Sequence, residues 1–211
     1  ELVSTGAGVT TCSFFKYPND NGIIYSSTHM DNPDCPSKPD FSKGYIWKLY
    51  PGFDIYEAGL SGSSPRPLTS SPGYDAEATY SFDGKKIIYT SLISGDLDLW
   101  YMNPDGSGKQ QLTNRLGYDG GAFYSYDASR IVWRAYYPET EEEIVDYKSL
   151  LKENSIRPMA LQIWTMNANG TNKKQITDNN SANFGPIYFP KADKIIFSSN
   201  MHDPKGRDFD L

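Results

Sequence analysis

One passage of this chain is written several times over. The segment Ser81-Phe82-Asp83-Gly84-Lys85-Lys86-Ile87-Ile88-Tyr89-Thr90-Ser91 returns 44 residues on as Ser125-Tyr126-Asp127-Ala128-Ser129-Arg130-Ile131-Val132-Trp133-Arg134-Ala135. It returns after another 64 residues as Phe189-Pro190-Lys191-Ala192-Asp193-Lys194-Ile195-Ile196-Phe197-Ser198-Ser199. An earlier copy of its second half, Ile23-Ile24-Tyr25-Ser26-Ser27, lies 64 residues before Ile87. A second signature runs in step with the first: Asp54-Ile55-Tyr56, Asp98-Leu99-Trp100, Gln162-Ile163-Trp164 and finally Asp210-Leu211. Its first three copies lead into the turns Gly59-Leu60-Ser61-Gly62, Asn103-Pro104-Asp105-Gly106 and Asn167-Ala168-Asn169-Gly170, and close on Leu68-Thr69, Leu112-Thr113 and Ile176-Thr177. Self-similarity at such a spacing is the mark of a repeat architecture, in which each unit buries its apolar face against the next.

Each unit reads as four short strands. Ala78 to Phe82 forms strand A, an Asp-Gly turn follows, and Lys86 to Ser91 forms strand B. Asp-Gly between apolar runs is a hairpin signal, and β-branched and aromatic residues favour strands. Asp98 to Met102 forms strand C and Gln110 to Thr113 strand D. Four strands in about 40–45 residues make a propeller blade. The expected fold is therefore all-β: a β-propeller of four-stranded antiparallel blades in a single partial domain over 1–211. The blades are 10–69, 75–113, 119–177 and an incomplete 183–211, about three and a half in all. Because a ring needs complementary blades at its seam, the chain reads as part of a longer one, with a small ring closed by a partner or a symmetry mate as the alternative; Glu1-Leu2-Val3-Ser4-Thr5 looks like the tail of an earlier strand D. One inserted helix is expected near 141–153. Thr140 and Glu143 make a capping box, Ile144, Tyr147, Leu150 and Leu151 form an apolar stripe, and Lys148 and Lys152 suit its negative end.

The repeats Ser81-Phe82-Asp83-Gly84-Lys85-Lys86-Ile87 and Leu99-Trp100-Tyr101-Met102-Asn103-Pro104-Asp105-Gly106-Ser107 resemble those of the TolB-like β-propellers, a WD40-like repeat class, over essentially all 211 residues. The resemblance implies an exported propeller, typically six-bladed, that serves as a binding scaffold. The chain departs from the pattern where Ala128-Ser129 and Ala192-Asp193 replace Asp-Gly, and in the longer first turn from Tyr17 to Gly22.

Composition narrows the partners. Twenty Lys and Arg against 26 Asp and Glu leave a charge of -6, which argues against a nucleic-acid surface. No apolar run approaches the roughly 18 residues of a membrane span. Hydrophobic residues at 38% and 16 Tyr suffice for a core. The two cysteines, Cys12 and Cys35, are expected to form a disulfide in an oxidising compartment, with two free thiols as the alternative.

In a four-stranded meander the A–B and C–D turns share one face, and the B–C and D–A loops share the other. The B–C loops carry the long insertions 28–53, 135–160 and 200–207, so function is expected on their rim. Asp75, Glu77 and Asp119 would stand at the mouth of the central channel. They either bind a cation or the positive end of a ligand, or cap turns through Asx-type hydrogen bonds. Calcium at Asp75 and Asp119 is a candidate, and no other cofactor is expected. Arg134 is placed to grip a ligand carboxylate or to pair with Asp119 or Glu77. Trp47, with Phe41, Tyr45 and Tyr50, forms either a ligand shelf or loop packing. His29 and His202 occupy matching places after strand B and could share a metal. The rows Tyr25/Tyr89/Trp133/Phe197 and Tyr56/Trp100/Trp164 read as packing between blades. Gly106-Ser107-Gly108-Lys109 lacks the full phosphate-loop pattern, and no Gly-x-Ser-x-Gly elbow occurs.

Three functions fit. The first is an exported, periplasmic or extracellular scaffold that binds a protein or peptide on its loop-rich rim and is itself no enzyme. The second is the gating propeller of a prolyl-oligopeptidase-type serine peptidase whose catalytic domain lies elsewhere. The third is a structural subunit of a polymeric assembly.

Overall fold

The computed structural model describes residues 2–61, 64–191, 193–206 and 208–211. Glu1, the turn residue Gly62, Ala192 of the fourth-copy turn and Arg207 at the end of the last insertion lie outside the described residues. The chain begins with β1 (Thr10–Phe15), β2 (Gly22–Ser27), β3 (Trp47–Lys48), β4 (Asp54–Gly59) and β5 (Arg66–Pro67). Next come β6 (Asp75–Tyr80), β7 (Ile87–Ser91), β8 (Asp98–Met102) and β9 (Gln110–Gln111). Then follow β10 (Tyr118–Tyr124), β11 (Arg130–Tyr136), α1 (Glu141–Lys152), β12 (Ser155–Ile156), β13 (Gln162–Asn167) and β14 (Lys174–Gln175). The last pair is β15 (Asn183–Tyr188) and β16 (Ile195–Ser199).

These strands make three antiparallel four-stranded sheets, β1-β2-β4-β5, β6-β7-β8-β9 and β10-β11-β13-β14, and the pair β15-β16. An antiparallel bridge from Ser199 to Asp210 begins a further strand on that pair. The chain is thus an all-β propeller of about three and a half blades. The D strands shrink to two residues each, because the end of the unit is spent on a side-chain clip. The Thr69 hydroxyl accepts from Ile55 N at 2.9 Å and lies 3.0 Å from Asp54 Oδ1. Thr113 repeats this with Leu99 N and Asp98, and Thr177 with Ile163 N and Gln162. The next residue of the motif ties the neighbouring blade: Asp75 N donates to Phe53 O, Asp119 N to Leu97 O and Asn183 N to Leu161 O, at 2.9, 2.9 and 3.1 Å.

The core lies between blades, where strand B is buried on both faces. All five residues of β7 are buried, as are Ile131, Val132 and Trp133 of β11. Tyr25, Tyr56, Tyr89 and Trp133 are at most 2% exposed, while Trp100, Trp164 and Phe197 are half-buried. Each innermost strand carries a bulge at the same place, after Thr11, Ala76, Gly120 and Phe184. The bulged residues are Cys12, Glu77, Gly121 and Gly185, all left-handed with φ of 54, 58, 57 and 55°. Glycine adopts this conformation freely; Cys12 and Glu77 take it up at a cost of roughly 1–3 kcal/mol each.

The first two insertions are knitted together. β3 pairs antiparallel with β12, Trp47 opposite Ile156 and Lys48 opposite Ser155. Leu49 N donates to Asn154 O at 2.8 Å and Lys43 Nζ to Glu153 at 2.6 Å. The helix has its capping box, Thr140 with Glu143, and buries Tyr147 and Leu150. Leu49, Leu97, Tyr118, Tyr147, Ile156 and Leu161 form a satellite core beneath this roof. No helix among the described residues is long and apolar enough to cross a membrane.

Candidate functional site

The innermost strands and the roof enclose a cleft of about 480 Å³, with Cys12, Trp47, Tyr74, Glu77, Tyr118 and Arg134 in its lining. Its floor is an ion pair. Arg134, projecting from β11, gives Nη2 to Glu77 Oε1 and, at 2.8 Å, to Tyr118 Oη. Glu77 Oε2 accepts from Tyr118 Oη at 2.8 Å, Gly121 N at 2.9 Å and Thr90 Oγ1 at 3.1 Å. The two side chains are 13% and 12% exposed, so removing either partner strands a largely desolvated charge. Three aromatic rings surround the guanidinium: its carbon lies 5.6 Å from the Trp47 ring centre, 5.7 Å from Tyr118 and 5.6 Å from Phe184. Burial alone would lower the Arg134 pKa, but Glu77 and Tyr118 outweigh it and hold the group charged.

Above the floor the walls become aromatic and wetter. Phe41 is 54% and Tyr45 67% exposed, and Tyr45 Oη accepts from Trp47 Nε1 at 3.1 Å. Trp47 itself packs edge-on against Tyr118 at 5.9 Å and tilted against Phe184 at 5.9 Å. The structure therefore brings Trp47, Glu77 and Arg134 into one place.

The other expected site residues lie elsewhere. Asp75 and Asp119 are 2% and 0% exposed, inside the blade junctions rather than open to the channel. Burial pushes the Asp75 carboxyl up to about 6 against hydrogen bonds from Ser91 and Thr69. Burial pushes Asp119 up to about 7, against donation from Tyr137 Oη and Trp133 Nε1, each at 2.6 Å. Each carboxyl keeps one buried oxygen, Oδ2, without a partner. His29 packs tilted against Tyr56 with ring centres 4.3 Å apart, its Nδ1 is 3.0 Å from Ser27 Oγ, and burial lowers its pKa. His202 is exposed beside Phe197 and Met201 of the fourth blade. Among the described residues no group of three or more His, Cys, Asp or Glu is placed to hold a metal.

The expected disulfide needs correction: Cys12 and Cys35 are both free. The reason is the bulge. One extra residue turns Cys12 off the regular strand pattern, so its sulfur lies at the channel near Glu77 and Arg134, 3.3 Å from Thr11 Oγ1, while Cys35 stays on its own loop near Tyr50. Burial and the Glu77 charge raise the Cys12 pKa, which keeps it a thiol at neutral pH.

Residue types alone did not point to Tyr118, Phe184, Gly121 or Gly185. The signal was present in the glycines: Gly121 and Gly185 stand 64 residues apart, in step with Ile131 and Ile195, where only a special backbone conformation explains the coincidence.

No protein-family model and no curated protein matches this sequence. Solved structures do. TolB from Acinetobacter baumannii superposes with a TM-score of 0.64 at 18% identity, over 95% of this chain and 39% of that one. A nidogen/laminin complex gives 0.56 at 14% identity, over 96% and 63%. Hydrazine synthase of Kuenenia stuttgartiensis gives 0.55 at 18% identity, over 71% and 24%. The chain thus spans about two fifths of the length of that TolB, and likeness at this identity speaks of fold alone. By its sheets, its repeat and these superpositions, the chain has the β-propeller fold of TolB.

Proposed function

We propose that this propeller is a binding module that holds a segment of a protein or peptide in the channel-mouth cleft. The carrying observation is the cleft itself: exposed Phe41 and Tyr45 over a desolvated Arg134–Glu77 floor, roofed by two insertions that pair with each other. Amphipathic aromatics beside a fixed charge pair are what a chain-binding surface uses for area and orientation. The scaffold is rigid and the recognition elements are loops, which suits holding rather than chemistry. The neutral Cys12 thiol adds no ready nucleophile.

We place the protein in an exported setting, as its resemblance to the TolB class implies, although the free cysteines withdraw the disulfide from that argument. Calcium at Asp75 or Asp119 belongs to the proposal only through their orphaned Oδ2 atoms, and a thermal-shift titration with calcium reads it directly.

The deciding experiment is quantitative capture of partners by the wild type and by Tyr45→Ala/Trp47→Ala. At least a tenfold loss of a specific partner is expected. Equal recovery overturns the cleft as the binding surface. A Gly-x-Ser-x-Gly segment in sequence beyond Leu211 would instead favour the peptidase-gating reading.

A further inference from the structure

The bulges on the innermost strands form a relay, each bulged side chain reaching the bulged residue of the next blade, that the repeat leaves unfinished. In the first seat, the Cys12 side chain of blade one lies against Glu77, the bulged residue of blade two. In the second, Glu77 Oε2 accepts from the N–H of Gly121, the bulged residue of blade three, at 2.9 Å. The third seat should be filled by the bulged side chain of blade three, accepting from Gly185 of blade four. That residue is Gly121, and it has no side chain to offer.

Two further observations show the vacancy to be polar and positively charged. Gly185 has the same left-handed backbone as the others, no acceptor among the described residues takes its N–H, and no atom lies within 4 Å of where its Cβ would stand. The root of the absent side chain is occupied by Arg134: its Nη1 lies 2.2 Å from where a Cβ on Gly121 would be. Arg134 spends Nη2 on Glu77 and Tyr118, while its buried Nε has no partner. Its guanidinium carbon is 5.6 Å from the ring of Phe184, the residue before Gly185.

Resting on the binding reading above, we propose that the third seat takes a carboxylate from the ligand, which accepts from Gly185 N–H and from Arg134 Nη1, the nitrogen at the root of the absent Gly121 side chain. The ligand then completes what Glu77 does one blade earlier. Charge-assisted hydrogen bonds from a guanidinium to a carboxylate are about twice as strong as neutral ones. An arginine has five N–H donors, so Arg134 can serve Glu77 and a ligand together. The apolar walls of Trp47 and Tyr45 favour a bulky neighbour to that carboxylate, as at the C-terminus of a peptide ending in an aromatic residue.

The test uses three probes on the isotope-labelled chain: a tetrapeptide ending in phenylalanine with a free carboxylate, the same peptide amidated, and acetate. The free acid is expected to move the Gly185 amide resonance and to bind at least tenfold more tightly than the amide. Arg134→Lys, which keeps the charge but loses the fork, is expected to weaken the acid at least fivefold. If that variant fails to fold, the Gly185 resonance in the wild type still decides. Acetate binding as tightly as the peptide acid would support the seat and identify the ligand as a small acid. A Gly185 resonance unmoved by all three probes overturns the proposal, as does equal affinity for acid and amide. Equal affinity that is nevertheless lost in Tyr45→Ala/Trp47→Ala would sink the seat while leaving the cleft as the binding surface.

Discussion

The junction between blades two and three and the junction between blades three and four are built on one plan with different chemistry. In the former, Asp98, Thr113 and Asp119 place two carboxyl groups around a threonine clip, with Asp119 fully buried. In the latter, Gln162, Thr177 and Asn183 do the same with amides, and Asn183 Nδ2 donates to Leu161 O at 2.7 Å. The backbone tie from the start of strand A, Asp119 N in one and Asn183 N in the other, is common to both. The clip therefore needs an acceptor and a small polar anchor, not a charge. The carboxyl version adds a proton equilibrium that the amide version lacks.

The same two junctions differ at the channel. The second-to-third seat is closed by Glu77 and Arg134, and breaking it is expected to have the largest effect. Glu77→Ala leaves Arg134 buried without its counter-charge, which costs about 3–5 kcal/mol. Thermal denaturation should show a fall of roughly 10 °C for a chain of this size. Glu77→Gln with Arg134→Met should recover most of it; no recovery would mean that the cost lies in the bulge rather than the pair.

Next in size is the proton at Asp119. Its folded pKa, about 7, is above its unfolded one, so the folded state holds a proton that the unfolded state has lost. Stability is then full below the unfolded pKa near 4 and declines as pH rises to about 7, by a few kcal/mol. Asp119→Asn, which copies Asn183, should flatten the melting temperature over that range and raise it at pH 8. The groups facing Asp119 are Tyr137, Trp133, Thr113 and Asp98, and Tyr147 lies in its field, so the double variant with Asp98→Asn isolates the carboxyl pair. An unchanged pH profile in Asp119→Asn would refute this assignment. Asp75→Asn should do the same more weakly, up to about pH 6.

The clips sharpen the comparison at smaller scale. Thr113→Val should cost about 1–2 kcal/mol in chemical denaturation, because Leu99 N and Asp98 both lose a partner in a buried place. Thr177→Val should cost less, since Thr177 is only half-buried. Equal costs would show that burial does not govern the clip. Smallest is Thr140→Ala, which removes a helix cap from the roof at a cost of about 1 kcal/mol.

The repeat was legible because strand pairing and burial leave a periodic trace: apolar pairs such as Ile87-Ile88 and Ile131-Val132 fall in step, and their sheets form in step. The helix was legible from Thr140 and Glu143 because capping is local chemistry. The channel was not. A bulge adds one residue without changing composition, and it turned Cys12 away from Cys35 and Glu77 towards Arg134. Of the acidic partners the sequence offers Arg134, it pairs with Glu77 rather than Asp119, because blades 44 residues apart bring their channel faces together. Strand A being innermost suggests Asp75 and Asp119 as channel groups, yet both lie at the start of their strands, at a junction where the chain crosses between blades.

The ribbon of β3 and β12 ties an insertion in the first blade to one in the third, across the blade between them. Among the described residues neither strand has another pairing partner there, so the two loops form a single exchangeable part. Lengthening, shortening or grafting one of them onto another propeller would strip the other of its register. Recognition in this scaffold can therefore diversify only by paired change at two places more than a hundred residues apart.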